Sequence, residues 1–493
     1  MKNIIITFTL LMLAMASCQD LQEINENPNN VSETHPQLLL ITAEWDAFNV
    51  EGTEPLYAAR MLVQTDGESE NQWYKWNRTD FGDYGKLRTV TKMIEEAQRI
   101  ENSSYEALGK FFRAYYFYKM TLTFGDIPYQ NALQGESNEI YTPAYDSQQA
   151  VFAGILTELE EADAMLKNDN SIILGDIIYD GSTLKWRKLI NSFRLKVLMT
   201  LSKKESVPGF DIKASFANIV ANAPLIESNA DNGQLEYLDQ TNSRYSEYNS
   251  SGYGSGMYMD STFIKRLQDR QDPRLFIYCD RTKNAKEAGL AINDFAAYEG
   301  GNPIAPYAEV NTKAAQGNAS KVNLRYTTDP TNEPHMLLGY SELQLILAEA
   351  SLRGWINPAK AEEYYQKGVE ASFEFYNMHA DDAISFVDAI DAQNYLDGEL
   401  VKLSDDLSKE EKIERVIMQK YLQSFLQGGW SMYFDHLRTG YPSFLSLPNV
   451  APPRRWMYPT AEYQENEAHV SEAIAAQFGT GNDKTNELTW WLK

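Results

Sequence analysis

The strongest constraint on this chain is a helical period that returns in pairs. Between residues 104 and 124, Leu108, Phe111, Tyr115, Tyr118 and Leu122 recur at steps of three and four, the spacing that lines one face of an α-helix. The segment stops at Gly125-Asp126-Ile127-Pro128-Tyr129, where Gly caps a helix and Pro breaks it. Residues 86–101 carry the same period and are joined to it by a very short link. A second pair, 336–353 and 358–378, is joined through Gly354-Trp355-Ile356-Asn357-Pro358. Further helical stretches fall at 36–48, 147–167, 184–204, 211–222, 260–270 and 408–427. Helix pairs of roughly 34–40 residues point to a tetratricopeptide-like stack. The small residues Ala107, Gly109 and Ala114 would let neighbouring helices approach closely. The expected fold is therefore mainly α: tetratricopeptide-like helix pairs forming an α-α superhelical scaffold, with a long-loop lobe.

Two stretches escape this pattern. Residues 49–85 are irregular, and from about 224 to 335 Gly, Asn, Ser, Tyr and Pro dominate apart from the 260–270 helix, which ends at Asp272-Pro273. Long irregular segments in a compact protein are usually functional, so both lobes are expected to carry a ligand surface or partner contacts.

The formal charge is −25, from 69 acidic and 44 basic residues. A phosphate backbone needs a basic footprint, so nucleic acid is not an expected partner. Solubility is the plain reading of the acidity. The two cysteines, Cys18 and Cys279, do not read as a disulfide, because Cys18 ends a leader. Lys2 precedes an apolar run from Ile4 to Ala16, too short to span a bilayer and of signal-peptide length. The run closes on Met15-Ala16-Ser17-Cys18, small residues before a Cys, as lipoprotein processing requires. Residues 1–17 are expected to be a lipoprotein signal peptide, with lipid on the Cys18 thiol; ordinary secretory cleavage is the plain alternative. Residues 18–35, polar and Asn-rich, read as a tether, and residues 36–493 as the folded unit.

No catalytic signature stands out. The five His residues, at 35, 335, 379, 436 and 469, match no zinc spacing, and no phosphate-binding loop is present. Gly252-Tyr253-Gly254-Ser255-Gly256 reads as a flexible loop. Lys167-Asn168-Asp169-Asn170 and Asp231-Asn232 lack the spacing of a calcium loop and read as turns. No metal or cofactor is expected. Among so many acidic residues a carboxylate pair has no predictive value, so a surface glycoside hydrolase stays open as the enzymatic alternative.

Sugar rings stack C–H faces on aromatic planes, while their hydroxyls need amide, carboxylate or guanidinium partners. Asn71, Trp73, Tyr74, Trp76 and Arg78 supply both in one irregular stretch. The structural alternative is a short strand burying Trp73 or Trp76, with Tyr74 on the other face. Tyr245, Tyr248, Tyr253 and Tyr258, set among Ser, Gly and Asn, form a second candidate surface, with a plain surface loop as its alternative. Arg454, Arg455, Tyr458, Trp490 and Trp491 read as a clamp holding the C-terminal tail. Asp435 and Arg438, three apart, read as a local helical pair worth about 0.2–0.5 kcal/mol if exposed.

Several strings line up in order with one family. DLQEINENPNN (20–30), FFRAYYFYKMTLTFGDIPY (111–129), LILAEASLRG (345–354), FDHLRTGYP (434–442), PRRWMYPTAEYQEN (453–466) and LTWWLK (488–493) together resemble the SusD/RagB nutrient-binding outer-membrane lipoproteins, in their SusD-like subgroup. His436 and Met15 depart from the usual pattern. The resemblance implies a tetratricopeptide-containing helical fold and no enzyme. It also implies a lid over a SusC-like TonB-dependent β-barrel, lipid-anchored at Cys18 and facing the cell surface. The implied ligand is a nutrient oligosaccharide, with a peptide as the alternative; a scaffold that binds only protein is a third reading.

Overall fold

The computed structural model describes residues 33–169, 171–250, 257–380 and 385–493. The leader, Cys18 and Tyr253 lie outside the described residues. The longer helices are α1 (Pro36–Phe48), α2 (Asp83–Arg99), α3 (Ser103–Phe124), α4 (Gln148–Leu166), α5 (Thr183–Thr200), α6 (Ile212–Asn222), α7 (Ser261–Asp269), α8 (Tyr307–Ala315), α9 (Tyr340–Leu352), α10 (Ala361–His379), α11 (Lys409–Leu422), α12 (Ser431–Thr439) and α13 (Glu467–Phe478).

Their ends follow from local chemistry. Asn102 caps α3, its side chain accepting from the Ser104 and Tyr105 amides, and Gly125 stops it at φ 100°. Ser408 and Glu411 form a reciprocal capping box on α11. Each such cap is worth about 1 kcal/mol.

Packing makes the stack. α2 lies against α3, α3 against α4 and α4 against α5, while α9 packs on α10 and α11 and touches α5. The expected pairs, α2 with α3 and α9 with α10, are thus neighbours in space, and the fold is the tetratricopeptide-like helical one. Close approach depends on glycine. A β-carbon at Gly109 would overlap Ile94 of α2, and one at Gly368 would sit 2.8 Å from Leu345 Cγ of α9. The interior is dominated by one continuous apolar core that includes Phe111, Phe112, Trp186, Phe193, Leu345 and Tyr421.

Strands are minimal. β1 (Leu62–Val63), β2 (Ser206–Val207), β3 (Phe210–Asp211), β4 (Gly233–Leu235), β5 (Tyr258–Met259) and β6 (His335–Leu338) form three antiparallel ladders. β1 pairs with β5 in the register Leu62↔Met259 and Val63↔Tyr258, tying the two irregular lobes together. β4 pairs with β6 through Gly233↔Leu338 and Leu235↔His335. That ladder corrects the helix expected from residue 336: α9 starts at Tyr340. An apolar run as short as Met336-Leu337-Leu338 carries no period of its own, and Gly339 separates it from the helix.

Asp435 and Arg438 do form the expected local helical pair, but it is not an exposed one: the Arg438 side chain is 1% exposed and Glu349, its further partner on α9, is 0% exposed. Arg438 donates to Glu349 at 2.8 Å and to Asp435 at 2.7 Å, while Lys420 of α11 reaches the other Asp435 oxygen. This buried network joins α9, α11 and α12. The tail clamp has the expected form. Arg455 is wholly buried, bonded to Asp483 and the Phe124 carbonyl, and Trp491 is buried in the core. Asp231 accepts from Lys188 and from the Glu227 amide, and Asp169 accepts from Ser104 and the Ser171 amide; both sit in turns.

Candidate functional site

Residues 69–75 form a run of tight turns rather than a strand, and the segment leaves them to bridge Met457 at Arg78. Trp73 N–H donates to Ser69 O and Lys75 N–H to Glu70 O, and Tyr74 is held at φ 54°. A buried arginine fixes it from below: Arg60 donates to the carbonyls of Gln72 (2.6 Å) and Leu445 (2.7 Å) and lies 4.1 Å from the Tyr74 ring centre. Gln72, also buried, donates to Pro303 O in the other lobe.

This frame sorts the expected platform. Tyr74 is buried, with its hydroxyl on Ala58 O. Arg78 is taken up by Asp483 at 2.6 Å and the Tyr458 carbonyl. Asn71 and Trp73 are half-buried, and Lys75 lies 5.7 Å over the Trp73 ring. Trp76 stacks on Trp456 with centroids 3.8 Å apart and planes 15° apart. It meets Trp430 edge-on at 5.3 Å. Trp430 and Trp456, themselves 4.7 Å apart and perpendicular, are half-buried. Trp76 is therefore the backing of an aromatic cluster whose outer rings are Trp430 and Trp456. Tyr74 and Arg78 hold the cluster in place instead of presenting themselves to a ligand.

The described members of the second group, Tyr245, Tyr248 and Tyr258, are not assembled into one surface. Tyr245 is buried between Tyr237 and Tyr326. Tyr248 is half-buried under Arg244, and Tyr258 belongs to β5 with Lys321 over its ring. Ser246 and Tyr237 both donate to Asn49 Oδ1, two residues from Glu51, so this loop does reach the edge of the cleft described next.

Beside Trp430 opens a small cleft of about 50 Å³ lined by Glu51, Tyr115, Lys119, Thr123, His335 and Trp430, among others. Its position follows from the Gly428-Gly429 turn, at φ 69° and 49°. A β-carbon at Gly429 would overlap Glu51 Oε2, so both the dihedral and the space demand glycine. Glu51 and Lys119 pair at 2.5 Å, with Asp83 3.9 Å from the ammonium. Burial opposes charge on both partners. Their mutual attraction outweighs it, holding the Glu51 carboxyl below the usual range and the Lys119 ammonium well above it. His335 is buried, its Nδ1 2.7 Å from Phe48 O, and burial lowers its pKa, so its imidazole is neutral at pH 7. The cleft thus sets an indole beside a fixed carboxylate, an ammonium and a phenol.

Sequence reasoning missed Trp430, Trp456 and Glu51. Trp456 lies inside a quoted family string, and Trp430 directly follows two glycines; either is a local signal, but neither says that the rings meet.

A helix-pair stack carrying a loop-built aromatic cleft defines a helical binding protein. The chain belongs to the SusD-like family, described as starch-binding and associating with the outer membrane, which it matches over residues 28–459. It is similar to an outer-membrane protein of Bacteroides vulgatus described as involved in nutrient binding, with 54% identity, TM-score 0.91, and 93% of this chain and 100% of that one covered. It is also similar to two SusD homologues of Bacteroides fragilis. One has 52% identity and TM-score 0.89 over 94% of this chain and 100% of that one; the other has 34% identity and TM-score 0.86 over 93% and 100%. No curated protein matches the chain.

Proposed function

We propose that this protein captures a nutrient oligosaccharide at the Trp430 cleft and acts as the lid of a SusC-like TonB-dependent transporter, held at the cell surface by lipid on Cys18. The observation that carries the ligand class is the half-buried Trp430 indole, packed against Trp76 and Trp456, sharing one cleft with the Glu51–Lys119 ion pair. Indole faces suit sugar C–H faces, and an ionised pair donates to and accepts from hydroxyls without needing a charged ligand. Asn71 and Trp73 on the first lobe and Tyr248 on the second remain candidate flanking contacts, as do Tyr253 and Tyr258.

A hydrolase would need a protonated carboxyl in reach of its substrate. Five carboxyls among the described residues are pushed up, by burial foremost: Asp126 and Asp260, each to about 7, and Glu44, Glu247 and Asp391. Glu44, Asp126 and Asp260 are buried residues, and none of the five lines the cleft. The carboxylate that does line it, Glu51, is held ionised. The reading is therefore capture without cleavage.

A screen of the purified mature chain against oligosaccharides and peptides tests this. An oligosaccharide is expected to bind and to be recovered intact, and Trp430→Ala is expected to weaken it at least about tenfold, the order of a lost aromatic stacking contact. Binding of peptides alone, or indifference to Trp430→Ala, would overturn the ligand class. Co-purification with a large β-barrel from native membranes tests the lid role separately.

A further inference from the structure

Six large aliphatic side chains stand exposed on one side of the molecule. α1 is apolar nearly all round: Leu40, Ala43, Ala47 and Phe48 enter the core, yet Leu38 and Ile41 point outward. A helix apolar on every side is normally covered on every side. Along its Gln37–Ile41–Glu44 face runs the 172–181 loop. A β-carbon at Gly175 would sit 2.5 Å from Gln37 Cγ, and the Ile177 amide donates to Glu44 Oε2 at 2.9 Å. Tyr105, from α3, fixes the same loop by donating to Leu174 O. The loop adds Leu174 and Ile177 beside Leu38 and Ile41. Ile172, bridged to Ser182, continues the patch to Leu184 at the start of α5. Exposure runs from 39% at Ile177 to 73% at Ile172.

Among the described residues nothing seats on this patch, and its composition narrows what would. Protein interfaces concentrate Tyr, Trp, Met and Arg at their centres, with Leu under-represented among their strongest contacts. This patch consists of Leu and Ile, the residues that partition into hydrocarbon. Its location points the same way. Leu38 lies two residues into α1, where the tether from Cys18 arrives. Whatever its conformation, the chain between Cys18 and Pro36 reaches no further than roughly 60 Å.

We propose that the patch formed by Leu38, Ile41, Ile172, Leu174, Ile177 and Leu184 is a second membrane contact, inserting aliphatic side chains into the lipid surface beside the anchor. The inference rests on the anchored reading above. One lipid attachment leaves a tethered body free to rotate, and a shallow apolar contact at the tether's root fixes which face turns outward. Two attachments also hold far better than one.

Anchor and patch can be tested apart. The Cys18→Ser mature chain carries no lipid, so its flotation with vesicles of phosphatidylcholine and phosphatidylethanolamine reads the patch alone. It is expected to float. Leu38→Asn with Leu174→Asn is expected to cut the bound fraction about tenfold with an unchanged melting temperature, while Leu400→Asn, at an exposed leucine elsewhere, leaves flotation unchanged. A Cys18→Ser chain that stays in the dense fraction overturns the proposal. So does flotation that ignores Leu38→Asn with Leu174→Asn, or a dimer in sedimentation that those substitutions dissolve. Mass spectrometry of the native N-terminus tests lipidation itself, and an unmodified Cys18 would remove the anchor without touching the flotation result.

Discussion

Arg438 donates to both oxygens of Glu349 and to Asp435, and Glu349 also accepts from Arg353. The Arg438–Glu349 pair is closed to water, so neither ion has a hydration shell to fall back on. Read as an i,i+3 surface pair, Asp435 and Arg438 would contribute a few tenths of a kcal/mol. Breaking a buried pair from one side costs about 3–5 kcal/mol, because a charge is left alone in a low dielectric. Arg438→Met is therefore expected to lower the unfolding free energy by about that amount, measured by guanidinium unfolding. A loss within ~0.5 kcal/mol, as for an ordinary surface site, would mean that Arg353, already bonded to Glu349, is enough to neutralise it. The residue type was legible in the sequence, but its burial was not. Burial depends on Glu349 arriving from α9, and no local pattern reports that.

At the scale of elements, the stack depends on how closely consecutive helices approach. Gly109 faces Ile94 across the α2–α3 contact with no room for a β-carbon, and α3 is buried along most of its length. Gly109→Val is expected to force the helices apart and cost about 1–3 kcal/mol, seen as a lower melting temperature with unchanged helical circular dichroism. Retained stability would mean that Ile94 has somewhere to turn. The elements were the most legible part of the chain. Sequence reading placed α1 to α6 to within a few residues, and the Gly125 and Pro128 signals gave the end of α3. The helix expected to run to residue 427 stops at Leu422, because Leu426, Gly428 and Gly429 all take left-handed dihedrals. Only the glycines advertise that turn in sequence. The two- to four-residue strands were invisible for the opposite reason: each exists only through a distant partner, as Gly233–Leu235 does through His335–Leu338.

At the scale of the whole molecule, the candidate site is an assembly of distant chain segments. Trp76, Trp430 and Trp456 come from opposite ends of the sequence, and that distance is why reading stretches such as 71–78 found only part of the platform. What brings them together is the tail. The Trp456 amide donates to Thr123 O and the Met457 amide to Asn77 O. Asp483 accepts from Arg78, Arg455 and Tyr463 at once. Burial raises the Asp483 carboxyl, but bonding to Arg455 prevails and its pKa is lowered. Its stabilising contribution is thus present above the ordinary carboxylate pKa and is lost as pH falls through the lower, folded-state value. Asp483→Asn lacks that contribution at every pH. The variant is expected to be about 2–3 kcal/mol less stable near pH 7, with the gap to wild type narrowing towards acid. Asp483 is not among the residues lining the cleft, yet the variant should also bind oligosaccharide more weakly, because Arg78 and Arg455 no longer fix the Met457–Asn77 backbone contact that stacks Trp456 on Trp76. Unfolding curves at pH 7 and pH 3, with ligand titrations on the folded variant, separate the two effects. Full affinity in a destabilised variant would show that the indole cluster holds its geometry without the tail.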